Sequence, residues 1–565
     1  KGIPGCPKVE FSTSLDFFKD LEKKVENAKR MPEWVGELYL ELHRGTYTSM
    51  ARNKKYNRKS EFALMDAELY SVMDKTVLNG EYRQAEINDM WRTVLLNQFH
   101  DILPGSSIKE VYEVSKEQYE NVLSGADSIK KNALSNIAKN INAPSDGFAV
   151  FNQLGFTRSE LVEIDNADNF ENPVVTSSDG TVSNAQKVGD KLLFYAENVP
   201  SKGYKTYTVA EGKPAESEIF VSEHRMSNRF FDIEIDKNGN ISSIYDKRAE
   251  RNVLKGTGNV FQAFEDKPKD YDAWEISVYY QQKMWEVNDF CGAEVIENGT
   301  ERGVLRIKRK FVNSEIVQDI CIYKNLDRID FKTKIDWKEK HILLKTAFPV
   351  DVHTNKATYE IQFGNVERPT HWNTSWDMAK FEVCAQKWAD ISEDGYGVSL
   401  LNDCKYGHDI KDGVMRLTLI KSATYPNPDA DKELHEFTYS LYPHKGTWRE
   451  ANTVDMAYSL NCPLTRAPAM KNSGTLPCEF SFIKTDCKNV VVETVKKAED
   501  SGDIIVRMFE CQNRRGKVNA VMFKDILNAA ECDLLENETE KVQFDKNTFT
   551  FEIKPYEIKT FKIKL

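Results

Sequence analysis

The run Asn97-Gln98-Phe99-His100-Asp101-Ile102-Leu103-Pro104-Gly105-Ser106-Ser107 sets an imidazole beside a carboxylate just before a Pro-Gly break. Trp91, Leu95 and Phe99 recur at helical spacing ahead of it, which predicts His100 and Asp101 at a helix C-terminus. Such an end exposes carbonyls and partial negative charge, so it favours a nearby cation and opposes an unpaired carboxylate. A metal ion on His100, or hydroxyl donors on Asp101, would meet that demand. The dipeptide alone fits a plainer reading better: His100 bonded to a carbonyl and Asp101 a polar loop residue. A metal site needs about three protein ligands as a rule. None of the nine histidines stands in a His-x-Asp pair, and His408-Asp409 and Asp351-Val352-His353 lack the spacing or the order. Tyr47, Trp274, Trp372 and Trp376 offer ring faces that could stack on a ligand, Tyr47 and Trp274 more strongly than the other two. Against this, a Trp in a β-protein belongs to the core more often than not.

The elements that must hold these residues change character near residue 145. Thr13 or Ser14 can cap a helix that puts Leu15, Phe18, Leu21 and Val25 on one face. Phe62, Met65, Leu69, Val72 and Met73 mark a second helix, and the third runs up to His100. Ser107-Ile108-Lys109-Glu110 reads as a capping box opening a fourth, through Tyr112, Ser115, Tyr119 and Val122. Roughly 50–142 is therefore a helical bundle. After Ala143-Pro144-Ser145-Asp146-Gly147 the period becomes two. Phe231, Ile233 and Ile235 lead into Asn238-Gly239, and Ile241 and Ile244 resume beyond it, a hairpin signal. Ile329, Phe331, Thr333, Ile335 and Trp337 alternate, as do Phe549, Phe551 and Ile553. Antiparallel sheets packed into sandwiches are the expected architecture for 148–565.

Composition bounds the function. At 565 residues the chain exceeds what one core usually serves, and 40% hydrophobic with 29% charged residues is ordinary for a globular protein. A net charge of −11 implies no nucleic-acid-binding surface, and no apolar run is long enough to span a bilayer. Ten scattered cysteines without a C-x-x-C pair fit a reducing compartment, so a cytoplasmic protein is expected. The opening Lys1-Gly2-Ile3-Pro4-Gly5 reads like a cut through a domain.

The stretch from Glu37-Leu38-Tyr39-Leu40-Glu41-Leu42-His43-Arg44-Gly45-Thr46-Tyr47-Thr48-Ser49 to the His100 run strongly resembles the glycoside hydrolase family 38 α-mannosidases, and more closely their cytosolic and vacuolar-type branch. Five further stretches resemble that family in order. They are Val150–Gly155, Asn240–Lys247, Phe264–Pro268 with Asp272-Ala273-Trp274, Arg368–Asp377 and Leu400–Gly407, and Lys496–Asp500 resembles its C-terminal segment. The resemblance implies retaining hydrolysis of terminal α-mannose from an oligosaccharide or mannoside, with one zinc ion. It implies His100 as a zinc ligand and Asp101 as a residue that binds the mannose; Tyr47 and Trp274, from their ring faces alone, are the aromatic candidates to line that pocket. The remaining ligands, the nucleophile and the acid are expected upstream, so this chain alone is expected to be inactive.

The fold expected is multidomain α+β. It comprises a remnant of the catalytic α/β barrel with its last strand and helix (1–49), a helical bundle (50–147), a small β domain (148–225), a large galactose-mutarotase-like sandwich (226–460) and a C-terminal β domain (461–565). The competing reading is a carbohydrate-binding or scaffolding sandwich without catalysis. A homo-oligomer stays open.

Overall fold

Where apolar residues recur every third or fourth position the chain is helical: Ser14–Val25 (α1), Ala51–Leu78 (α2), Gln84–Asn97 (α3) and Lys109–Lys139 (α4). The computed structural model describes residues 3–165 and 170–565; Lys1 and Gly2, the start of the run read as a cut, lie outside the described residues. Within residues 3–40, Thr13 caps α1 by accepting from the Asp16 N–H at 3.2 Å, and α1 buries none of its residues. No strand forms among residues 3–49, against the expected last barrel strand. A strand persists only where a neighbour takes up its N–H and C=O groups, and no strand of the described residues pairs with this segment.

Residues 41–565 form one compact unit. Helices α2, α3 and α4 bury Leu64, Ala67, Ile87, Val94, Tyr119 and Val122 between them. The expected capping box at Ser107 does not form: α4 starts at Lys109, and its cap residue Ile108 makes no side-chain bond. The Tyr112 hydroxyl instead accepts from the Ser107 N–H at 2.9 Å and donates to the Ile102 carbonyl at 3.1 Å, which holds the chain in a turn past Ser107.

Beyond residue 146 every named strand pair is antiparallel, so the shift to period two reports sheet as expected. An eight-stranded sheet joins six strands of 147–211 to Thr465–Ala469 and Glu479–Ser481. A six-stranded and a nine-stranded sheet occupy 260–445, and a four- and a five-stranded sheet make up 483–564. The hairpin at Asn238-Gly239 forms, with Asp236 Oδ1 accepting from Asn238 and Asn240 N–H and Gly239 at φ 75°. A β-bulge between Ile241 and Ser243 explains why Ile241 and Ile244, three apart, are both buried. The rings of Phe551 and Phe561 meet at a tilt, centroids 4.5 Å apart, across the last two sheets, in a core that also holds Leu69 and Tyr70 of α2 and Ile137 of α4. The helical bundle therefore shares its core with the C-terminal sandwich.

Candidate functional site

Helix α3 ends at Asn97, and His100 and Asp101 lie in the turn that follows, where Ile102 and Leu103 N–H both bond the Phe99 carbonyl. His100 Nε2 is 3.3 Å from Asp101 Oδ2, and the two side chains are 75% and 55% exposed. The pair thus presents an imidazole nitrogen and a carboxylate oxygen to the outside.

What fixes this turn is a second turn, Arg44–Tyr47, and the segment after it. Gly105, at φ 90°, lies against Ser49 so closely that a Cβ would collide with the Ser49 backbone. The buried Lys54 ammonium donates to Ser49 O at 2.5 Å and to Leu103 O at 2.9 Å, lacing the two turns together. Burial pulls the Lys54 pKa down, against the pull of Asp431.

The same turn holds the aromatic candidates. Gly45 N donates to Trp274 O at 2.8 Å and Ser49 Oγ to Ala273 O at 2.5 Å, so Tyr47 and Trp274 stand on adjoining segments. Lys421 passes beneath, bonding Asp266 at 2.5 Å and Asp272 O at 2.6 Å, and Gly45 leaves room for its side chain. Arg44 ties in the helix Ser375–Ala379 through the Ala379 carbonyl at 3.0 Å and pairs with Glu275 at 3.2 Å. A recess of about 510 Å³ opens there between Arg44, Tyr271, Glu275 and Met378. Tyr47, Trp274 and Trp376 thus ride on elements laced together by Arg44 and Gly45, with Trp376 58% exposed. Trp372 is drawn elsewhere: the Lys411 ammonium sits 3.6 Å from its ring centroid, and it lines a separate recess of about 340 Å³ with Tyr280 and Phe381.

His100 and Asp101 supply two donors, and among the described residues no third His, Cys, Asp or Glu joins them. On its own the pair fits one edge of a zinc site and not a whole one. Asp431, Glu433 and His435 do come together, with ligand atoms within 4.8 Å of one another. Most of their polar atoms already have other work, although Glu433 Oε1 is buried without a hydrogen-bond partner. Asp431 accepts from Met50 and Ala51 N–H at 2.8 and 2.7 Å, Glu433 pairs with Arg52, and His435 Nε2 bonds Asp431 O at 2.7 Å. Within it Asp431 caps the N-terminus of α2, whose cap residue Met50 offers no side-chain oxygen.

Arg44, Lys54 and Lys421 were not singled out from the sequence. Arg44 and Lys54 lie in the stretch whose family resemblance could have drawn attention to them, and Lys421 does not.

Comparison with known proteins agrees with this architecture. Residues 41–137 match the alpha mannosidase middle domain, 226–429 the glycosyl hydrolases family 38 C-terminal domain, and 489–561 the family 38 C-terminal beta sandwich domain. Alpha-mannosidase G of Dictyostelium discoideum is 34% identical over 609 residues, covering 100% of this chain and 55% of that protein. Human alpha-mannosidase 2C1 is 34% identical over 551 residues, covering 94% of this chain and 50% of that protein. The chain therefore spans about half the length of the curated relatives it matches. The crystal structure of an alpha-mannosidase from Enterococcus faecalis shares the fold, with a TM-score of 0.81, 17% identity, and coverage of 97% of this chain and 72% of that one. With its three domain matches in order and relatives along its whole length, the chain belongs to glycoside hydrolase family 38 and carries that family's middle and C-terminal domains.

Proposed function

We propose that this chain serves a zinc-dependent retaining α-mannosidase, with His100 as one zinc ligand and Asp101 as an acceptor for mannose hydroxyls. The observation that carries it is the exposed His100–Asp101 pair on a turn laced to the segments bearing Tyr47 and Trp274. The names of the relatives supply the sugar. Retaining hydrolysis uses two carboxyl groups about 5–5.5 Å apart, one attacking the anomeric carbon and one protonating the leaving oxygen. We assign neither to this chain, and the other zinc ligands likewise belong outside it. A bound zinc ion would hold sugar hydroxyls and offset developing charge.

The residues of this chain bind and orient. Asp101 accepts hydroxyl protons, the rings of Tyr47 and Trp274 cover apolar C–H faces, and Lys54, Gly105 and Arg44 keep the segments in register. The substrate is a mannose-ended oligosaccharide or a mannoside. The ten free cysteines support a cytoplasmic setting.

The test uses the full-length protein. His100→Ala should abolish tight zinc retention by elemental analysis, and unchanged stoichiometric zinc would overturn the ligand assignment. Asp101→Asn should retain zinc and lose about tenfold or more in kcat/KM on an aryl α-mannoside, because a charged acceptor is removed. The 565-residue chain assayed alone with added zinc should leave that substrate intact. Turnover matching the full-length enzyme would put the catalytic carboxylates within this chain.

A further inference from the structure

A cavity of about 850 Å³ lies where one face of α2 and α3 meets the large sandwich and the C-terminal sandwich. Its size is that of a ligand site. Five basic and five acidic side chains line it (Arg58, Arg92, Lys387, Lys496, Arg507; Glu61, Glu68, Glu360, Glu493, Glu499), so the lining carries no net formal charge. Between them stand Phe62, Trp91, Phe363, Tyr458 and Phe509.

Most of the charged groups are already engaged. Arg58 is held by Asn402 and the Tyr406 hydroxyl, Lys387 by Glu360 at 2.7 Å, Lys496 by Glu499 and Glu536, and Glu68 accepts from the Trp91 indole at 3.2 Å. Glu493 and Arg507 are different. Among the described residues the Glu493 carboxylate has no hydrogen-bond or ion-pair partner, and Arg507 uses only Nε, on the Thr560 hydroxyl at 3.1 Å. They stand on neighbouring strands, Val490–Lys497 and Ile504–Glu510, where Val492 faces Met508 and Thr494 faces Arg507. Glu493 is the extra residue of a β-bulge, a device that turns a side chain out of the ladder's alternation.

A carboxylate only accepts and a guanidinium only donates. A ligand that satisfies both must carry donors and acceptors together, and it must bear no net charge, because an ion of a single sign would satisfy one and repel the other. Its remaining surface must suit aromatic walls. Those demands describe the hydroxyls and C–H faces of a sugar. We infer that this cavity is a binding site for a neutral saccharide, with Glu493 and Arg507 taking adjacent hydroxyls between the Trp91 and Phe363 walls. The choice of mannose as that sugar rests on the function proposed above; the site itself does not.

Isothermal titration of the 565-residue chain tests this, in a His100→Ala background so that the turn at His100 contributes nothing. The probes are an α-linked mannotriose, maltotriose, mannose 6-phosphate and glucosamine. Mannotriose should bind saturably, with both charged sugars about tenfold weaker or worse. Glu493→Gln and Arg507→Gln should each weaken mannotriose about tenfold, since each removes a charge-assisted hydrogen bond. Thermal melts check that the variants fold. Should either fail to fold, fluorotryptophan NMR of the His100→Ala chain, with the resonance assigned by Trp91→Phe, reads the cavity directly and should shift on adding mannotriose. No saturable binding at millimolar sugar, an unmoved Trp91 resonance, unchanged affinity in both folded variants, or preference for a charged sugar overturns the site. Preference for maltotriose upholds the site and overturns mannose, and neither result touches the zinc retention or hydrolysis measured through His100.

Discussion

Glu68 and Lys54 are buried ionisable groups on one helix, and each is held by a single geometry. Glu68 faces the Trp91 indole, and burial pushes its carboxyl up to about 7. A carboxyl whose folded pKa lies above its unfolded value contributes stability that is whole below pH about 4.5 and is lost as pH rises through about 7. The loss has a ceiling of about 3 kcal/mol. Glu68→Gln, which keeps the shape and cannot ionise, should therefore gain on the wild type between pH 5 and pH 7.5. Urea unfolding at the two pH values measures it. A stability difference between variant and wild type that stays the same at both would mean that Glu68 is not held neutral. Lys54 is a different case: its two carbonyl partners belong to the turns it joins, so its role is positional.

Among the elements, α2 is the one on which the candidate site hangs, because it leads away from the Arg44–Tyr47 turn and carries Lys54. The N–H groups of its cap residue Met50 and its first residue Ala51 are met by Asp431, 381 and 380 residues away in sequence. Losing an N-cap acceptor costs about 0.5–2 kcal/mol, and more where buried N–H groups are left without water. Asp431→Ala should sit at or above the top of that range by urea unfolding. Asp431→Asn, which keeps one oxygen, should lose less. If Asp431→Ala matched the wild type, the cluster of Asp431, Glu433 and His435 would need another role than capping.

At the scale of the whole molecule, burial of histidines adds to the response to acid that ion-paired carboxylates such as Asp330 and Asp409 also give. His408 is fully buried, bonds the Tyr406 carbonyl through Nδ1 at 2.9 Å, and leaves Nε2 without a partner. Burial lowers it to about 4, and lowers His435, beside Asp431, to about 3. A histidine depressed in this way contributes stability that is present above pH about 6.5 and is lost as pH falls through the folded value. Its sign is opposite to that of Glu68. Acidification from pH 6.5 to 4 should therefore destabilise the 260–445 sandwich, which holds both, and His408→Gln should flatten that limb. Tryptophan fluorescence during acid titration reads it. An unchanged midpoint in a folded His408→Gln chain would assign the acid limb elsewhere.

Much of this was legible in the residues. Spacing marked α1 to α4, the turn at Asn238-Gly239 marked a hairpin, and ordered landmarks marked the family, because each signal sits within a few residues of chain. That the strand expected before residue 49 does not form among the described residues was not legible, since a strand depends on a neighbour that its own residues do not name. Nor was the start of α4, which the distant ends of one tyrosine decide. The sequence by itself singled out His100, Asp101, Tyr47 and Trp274 as candidates to hold a metal or a sugar. Only the tertiary structure decided that Lys54 would lace Ser49 to Leu103, that Asp431 would cap a helix nearly four hundred residues away, and that Glu493, at a bulge, and Arg507 would line one cavity. The physical reason is that a buried polar group takes whatever partner the packing brings within 3 Å or so, and packing is a property of segments far apart in the chain.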